Sequence, residues 1–162
     1  MGQQKPVVEE VPVGTHFDYP ADQPVTTYEQ DRRELLARYT RFAQGHGRLL
    51  KSYLIRPAGS TDQLVVELFD ATHAQLVVTC ATLQRGGAGR AGVWYAMGTL
   101  ADLARFLPSP ARNMLVLPAE PDSDLDGLCA IRSILPVWPG TDGFTSHLES
   151  EPPSGPIGEP PL

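Results

Sequence analysis

The sequence predicts an α/β domain, with one mixed central sheet and helices flanking it. Three observations point there. Helix-like and strand-like segments follow one another in the order α-β-β-β-α-β-α-β. The strand segments are near-continuous apolar runs, the pattern of strands covered on both faces. The helical segments repeat apolar residues on one stripe, as a helix lying on a sheet does.

The first helix is expected over Tyr28–Gln44, where Leu35, Leu36, Tyr39, Phe42 and Ala43 recur at helical spacing. Thr27-x-x-Gln30 fits a capping box at its start, and Gly45 and Gly47 stop it. Arg48–Ile55 reads as a strand closed by Pro57 and Gly59. Leu64–Phe69 and Leu76–Ala81 are two further strands. The five residues Asp70–Ala74 between them suit a hairpin. A Gly-rich loop over Gln84–Gly92 leads into a second helix, Val93–Phe106, ended by Pro108 and Pro110. Met114–Leu117 is a short buried strand, Ser123–Ile131 a short helix and Ile134–Trp138 the last strand. Pro136 lacks an N–H for the ladder, so that strand is expected at an edge.

These elements place one domain over 28–145, long enough to bury a core of its own. Residues 1–27 carry four prolines and read as an extended arm, with a short strand at Val11–Val13. Residues 146–162 are rich in Pro and Gly, and are expected to be disordered. The net charge of −6 belongs to these ends. Residues 1–27 sum to −3 and residues 141–162 to −4, which leaves +1 for the middle. A near-neutral domain does not fit a strongly basic nucleic-acid binder. No apolar run is long enough for a membrane span, and Met1–Glu10 lacks a basic region followed by an apolar stretch, so no secretory signal is expected. Two cysteines make no disulfide framework. The expected compartment is the cytoplasm.

Glu67 stands alone among apolar neighbours, and a buried carboxylate needs a partner. It is therefore a site candidate, or an acid paired with an arginine or facing water. Gly87-Ala88-Gly89-Arg90-Ala91-Gly92 spells G-x-G-x-x-G between a strand and a helix. The preceding strand ends too early for a dinucleotide turn, and the acid expected about 20 residues on is missing. A flexible loop remains, or a loop whose Arg85 and Arg90 touch phosphate beside the amides of Gly87 and Gly89. Arg32, Arg33, Arg38 and Arg41 crowd the first helix, interleaved with Glu29, Asp31 and Glu34, as on a solvated face. His16, His46, His73 and His147 are scattered without metal-ligand spacing and read as surface residues. Cys80 and Cys129 read as small buried hydrophobes. Trp94 and Tyr95 open the second helix and are expected in the core rather than stacking on bases.

Taken together, Arg33–Tyr39, Glu67-Leu68-Phe69-Asp70, Ala96–Phe106, Val116-Leu117-Pro118 and Val137-Trp138 with Gly143-Phe144 resemble the restriction-endonuclease-like, PD-(D/E)-x-K, nuclease superfamily. The closer likeness is to a nuclease-like domain of actinobacterial restriction proteins. That resemblance implies an α-β-β-β-α-β core and a Mg²⁺ site. It puts the first acid on Glu67, with Asp70 near it and Glu34 as the helix acid. Its E-x-K motif falls on Val78-Thr79-Cys80, and its second-helix glutamine on Thr99. Val78 offers no ligand, and the Cys80 thiol suits Mg²⁺ poorly.

The expected function is thus a pseudonuclease: a non-catalytic subunit in a restriction or defence setting, docking a protein partner or duplex DNA. No residue is assigned to catalysis, and no cofactor is expected. Two alternatives stay open. One is a weak metal-dependent endonuclease using Glu34, Glu67 and Asp70, with Glu67 and Asp70 holding Mg²⁺. The other is a nucleotide-binding protein using the Gly-rich loop.

Overall fold

Seven strands lie side by side in chain order, with three helices packed on them, in a computed structural model that describes residues 5–14, 26–81, 88–107 and 112–147. The strands are β1 (Val7–Val11), β2 (Leu50–Arg56), β3 (Leu64–Asp70), β4 (Gln75–Thr79), β5 (Arg112–Val116), β6 (Ile134–Gly140) and β7 (Gly143–Thr145). The helices are α1 (Thr27–Gly45), α2 (Ala88–Ala104) and α3 (Ser123–Ile131). β1 to β4 run antiparallel, β4, β5 and β6 run parallel, and β7 turns back along β6. The parallel pairs need crossovers, and α2 and α3 supply them. The architecture is the α/β mixed sheet that the periodicity predicts.

The two faces are covered differently. On one, Leu35, Leu36, Tyr39 and Ala43 of α1 pack on Leu68, Val77, Val116 and Val137. On the other, α2 (Val93, Ala96, Leu100) and α3 (Leu125, Cys129) pack on Val66, Leu76, Cys80 and Leu115. Leu36, Leu100 and Leu115 are almost wholly buried, and each such side chain contributes about 2 kcal/mol of hydrophobic stabilisation. Both cysteines are buried and free, as expected.

Several boundaries differ from the sequence expectation. The cap of α1 is Thr26, not Thr27: its hydroxyl accepts from the Glu29 amide at 3.2 Å. β1 forms at Val7–Val11 rather than Val11–Val13, where it pairs antiparallel with β2. α2 starts at Ala88, so Gly89, Arg90 and Gly92 lie on a helix and not in a loop. Arg85 and Gly87 lie outside the described residues. β7 pairs with only Trp138–Gly140 of β6, so Pro136 is matched across β5 alone and its ring is tolerated. The domain also extends past 145. Ser146 is buried, and the His147 ring packs 4.8 Å from that of Trp138 and sits 3.3 Å from Asp126. His147 is thus half-buried, whereas His46 and His73 are exposed.

Candidate functional site

The site grows from one irregularity in β3. Lys51 faces Phe69 and Tyr53 faces Val66, so Ser52 alone stands opposite both Glu67 and Leu68. This is a β-bulge, which re-aims side chains. Ser52 fastens it by donating to the Glu67 carbonyl at 2.6 Å. The extra residue sends Glu67 and Leu68 both toward α1.

At the same point β3 leaves β4. The ladder between them covers only Leu68–Asp70 against Gln75–Val77. Beyond it Leu64–Val66 stay with β2, while Val78 and Thr79 stay with β5. The sheet therefore splits, and Arg32 of α1 reaches into the split. Its guanidinium donates to Glu67 (2.7 and 3.2 Å), to Glu29 (2.5 and 3.3 Å) and to the Thr79 hydroxyl (3.1 Å). Those five bonds match the five N–H donors that an arginine has. Two bidentate forks and one hydroxyl fix the group in place. Burial works against the Arg32 charge. The hydrogen bonds to Glu29 and Glu67 more than offset it and hold the group protonated above its ordinary range.

The split opens into a cleft of about 1080 Å³. Tyr28, Glu29 and Arg32 form one wall, and Leu64, Val65 and Glu67 line the β3 side. Trp94, Tyr95, Gly98, Thr99 and Asp102 of α2 form the other wall. Trp94 is 59% and Tyr95 78% exposed, against the expectation that both lie in the core. They fall off the buried stripe of Val93, Ala96 and Leu100, which turns them outward on α2. Tyr28 closes the corner over Cys80. Its hydroxyl sits 4.0 Å from the Cys80 sulfur, and a Cβ on Gly92 would come within 2.7 Å of that hydroxyl. Gly92 therefore has a packing reason to be glycine. Burial pushes the Cys80 thiol above its ordinary range, while the Tyr28 bond and the Arg32 charge pull the other way. Burial likewise raises the Tyr28 phenol.

The residues singled out by sequence are not gathered in one place. Glu67, Val78 and Thr99 line the cleft. Glu34 is exposed on α1. Val78 and Cys80 belong to the α2 side of the sheet, whereas Glu67 turns to the α1 side. Asp70 shares that α1 side but serves a different end of β3. It is fully buried, and its Oδ1 accepts from the amides of Thr72 (2.9 Å) and His73 (3.3 Å). Its Oδ2 lies 3.8 Å from Arg48. Among the described residues no three His, Cys, Asp or Glu side chains are placed to hold a metal ion. Arg90, a phosphate candidate now placed on α2, is ion-paired with Asp124. The role of Arg32 was foreshadowed only by the Glu29-x-x-Arg32 spacing on one helix face.

Comparison with known proteins returns no matching family model, no matching curated protein and no matching solved structure. No described helix is long and apolar enough to cross a membrane.

Proposed function

We propose that this chain is a non-catalytic interaction domain, a pseudonuclease in the sense of the resemblance noted above, which docks a protein partner in a restriction or defence setting. The observation that carries this reading is the Arg32 guanidinium held between Glu29 and Glu67. A metal-dependent nuclease would use such acids to hold a divalent cation beside a scissile phosphate. Here the Arg32 guanidinium is hydrogen-bonded to both carboxylates, and it brings no water to activate. Asp70 is engaged in holding a turn, and Val78, which lines the cleft, has no ligand atom to offer.

A protein partner is favoured over DNA by the ion pairs. Arg32, Arg33, Arg48, Lys51, Arg56, Arg90 and Arg105 each lie within ion-pairing distance of a carboxylate. Phosphate docking would have to compete with those acids for every one of these cations. The exposed Trp94 and Tyr95 have the opposite character. Large aromatics at a cleft are the anchors from which protein interfaces draw their energy.

The test is plasmid DNA incubated with the protein and Mg²⁺ or Mn²⁺, with Glu67→Ala in parallel. Intact DNA in both reactions is expected. Nicking by the natural chain that disappears in Glu67→Ala would overturn the proposal in favour of the nuclease.

A further inference from the structure

We propose that the cavity beneath the C-terminal half of α1 binds a small, neutral, single-ring compound carrying a cyclic amide, a lactam or ureide. This cavity shares no lining residue with the cleft, and the proposal does not depend on the interaction reading above.

The cavity measures about 120 Å³. A protein cavity of about 150 Å³ takes up a benzene molecule, so the space suits one six-membered ring. Its lining suits a flat ring as well. Tyr39, Phe42 and Phe144 contribute rings whose centroids lie 5.3 to 6.1 Å apart, and Met114, Leu135 and Val137 contribute side chains from the sheet. His73 is exposed in the β3–β4 turn and lines the same cavity, so the cavity opens there.

The polar groups decide the class of ligand. Gln75 lines the cavity and is 8% exposed, and its Oε1 has no hydrogen-bond partner among the described residues. An amide left unmet in that way costs about 1–3 kcal/mol. Rotation about its terminal bond turns either end of the amide to the cavity. Asp70 is the cross-strand neighbour of Gln75, and its buried Oδ2 also lacks a hydrogen-bond partner. Arg48, which lines the cavity too, supplies donors. It gives one N–H to the Tyr39 hydroxyl at 2.9 Å, and at 3.8 Å from the Asp70 Oδ2 it is too far for a hydrogen bond there. A carboxylate ligand would answer Arg48 but set more acceptors against Gln75 and Asp70. An ammonium ligand would answer those acceptors but meet the Arg48 charge. A cyclic amide carries an N–H beside a C=O and answers both, with no net charge to bury.

The experiment is isothermal calorimetry with uracil, run beside N,N′-dimethyluracil, benzoate and uridine. Uracil is expected to bind at least about tenfold more tightly than each of the others. The dimethyl compound has no N–H, benzoate brings acceptors alone, and the uridine sugar exceeds the cavity. Gln75→Leu removes the unmet amide, so it is expected to melt no lower than the natural chain. It is expected to lose about tenfold or more in uracil affinity. Leu135→Phe fills the cavity and is expected to lose binding as well. No saturable uracil binding would mean a cavity that holds water alone, and would overturn the proposal. So would dimethyluracil, benzoate or uridine binding as tightly as uracil. Unchanged uracil affinity in either variant, with its melting temperature retained, would also overturn it.

Discussion

The two ends of the β3–β4 pair are built from the same two strands and do opposite things. At the closed end, Leu68–Asp70 ladder with Gln75–Val77, and a four-residue turn joins them. Asp70 holds that turn through the amides of Thr72 and His73. At the open end the bulge at Glu67 parts the strands, and Arg32 is inserted between them. Two carboxylates three positions apart thus have separate duties. One closes a hairpin from within. The other keeps a split sheet in order by meeting a cation from a helix. A carboxylate in an apolar strand shows that a partner exists, but its burial does not reveal which kind of partner.

The largest expected effect breaks the open end. Arg32→Ala removes the arginine that holds Glu67 and one of the arginines on Glu29, and should cost about 3 kcal/mol of stability in chemical denaturation. The side chains of the pair are 14% and 22% exposed, so the loss should not exceed that of a fully buried pair. Adding Glu67→Ala to Arg32→Ala should restore part of it, because the stranded acid is then gone. A double variant as unstable as the sum of the singles would mean that the two groups do not act as a pair.

Breaking the closed end comes next. Asp70→Ala leaves two turn amides without their acceptor and Arg48 without its acid, for a loss of about 2 kcal/mol.

A smaller effect separates the ends by pH. Burial raises the Cys80 thiol, beside the split, above its ordinary 9.0, and the folded state then favours its protonated form. Stability from this source is complete below pH 9 and is lost as pH rises through the folded value. Cys80→Ala should flatten the alkaline fall in melting temperature, whereas Asp70→Ala should leave its slope alone. Smallest of all is Ala74→Gly. Ala74 has φ of 50° in the hairpin turn, a left-handed conformation that costs a non-glycine residue about 1 kcal/mol. Glycine should recover a few tenths of that after its greater unfolded-state entropy is counted. A melting point that falls in Ala74→Gly would show that the turn is held by something other than its backbone.

Much of this fold can be read from the order of apolar runs and helical stripes. The Asp70–Ala74 hairpin and the α3 boundaries follow from local spacing and turn length. What local pattern could not give is the bulge, since nothing in Leu64–Phe69 distinguishes a regular strand from one with an extra residue. The face of Glu67 depended on that residue. The partner of Glu67 depended on Arg32, 35 positions earlier and on another element. The exposure of Trp94 and Tyr95 was hidden for a related reason. Helical periodicity defines a stripe, but two aromatics beside Val93 look like part of it until the helix is seated on the sheet. The true start of α2 also lay inside a Gly-rich stretch whose composition reads as loop.

Under the proposed function, the Arg32 guanidinium bonded to Glu67 leaves that carboxylate unavailable to a divalent cation. The most direct test is thermal melting of the natural chain titrated with Mg²⁺ and Mn²⁺, with Glu67→Ala alongside. The same melting temperature is expected at every metal concentration for both proteins. A metal-dependent rise in the natural chain that is absent from Glu67→Ala would contradict it.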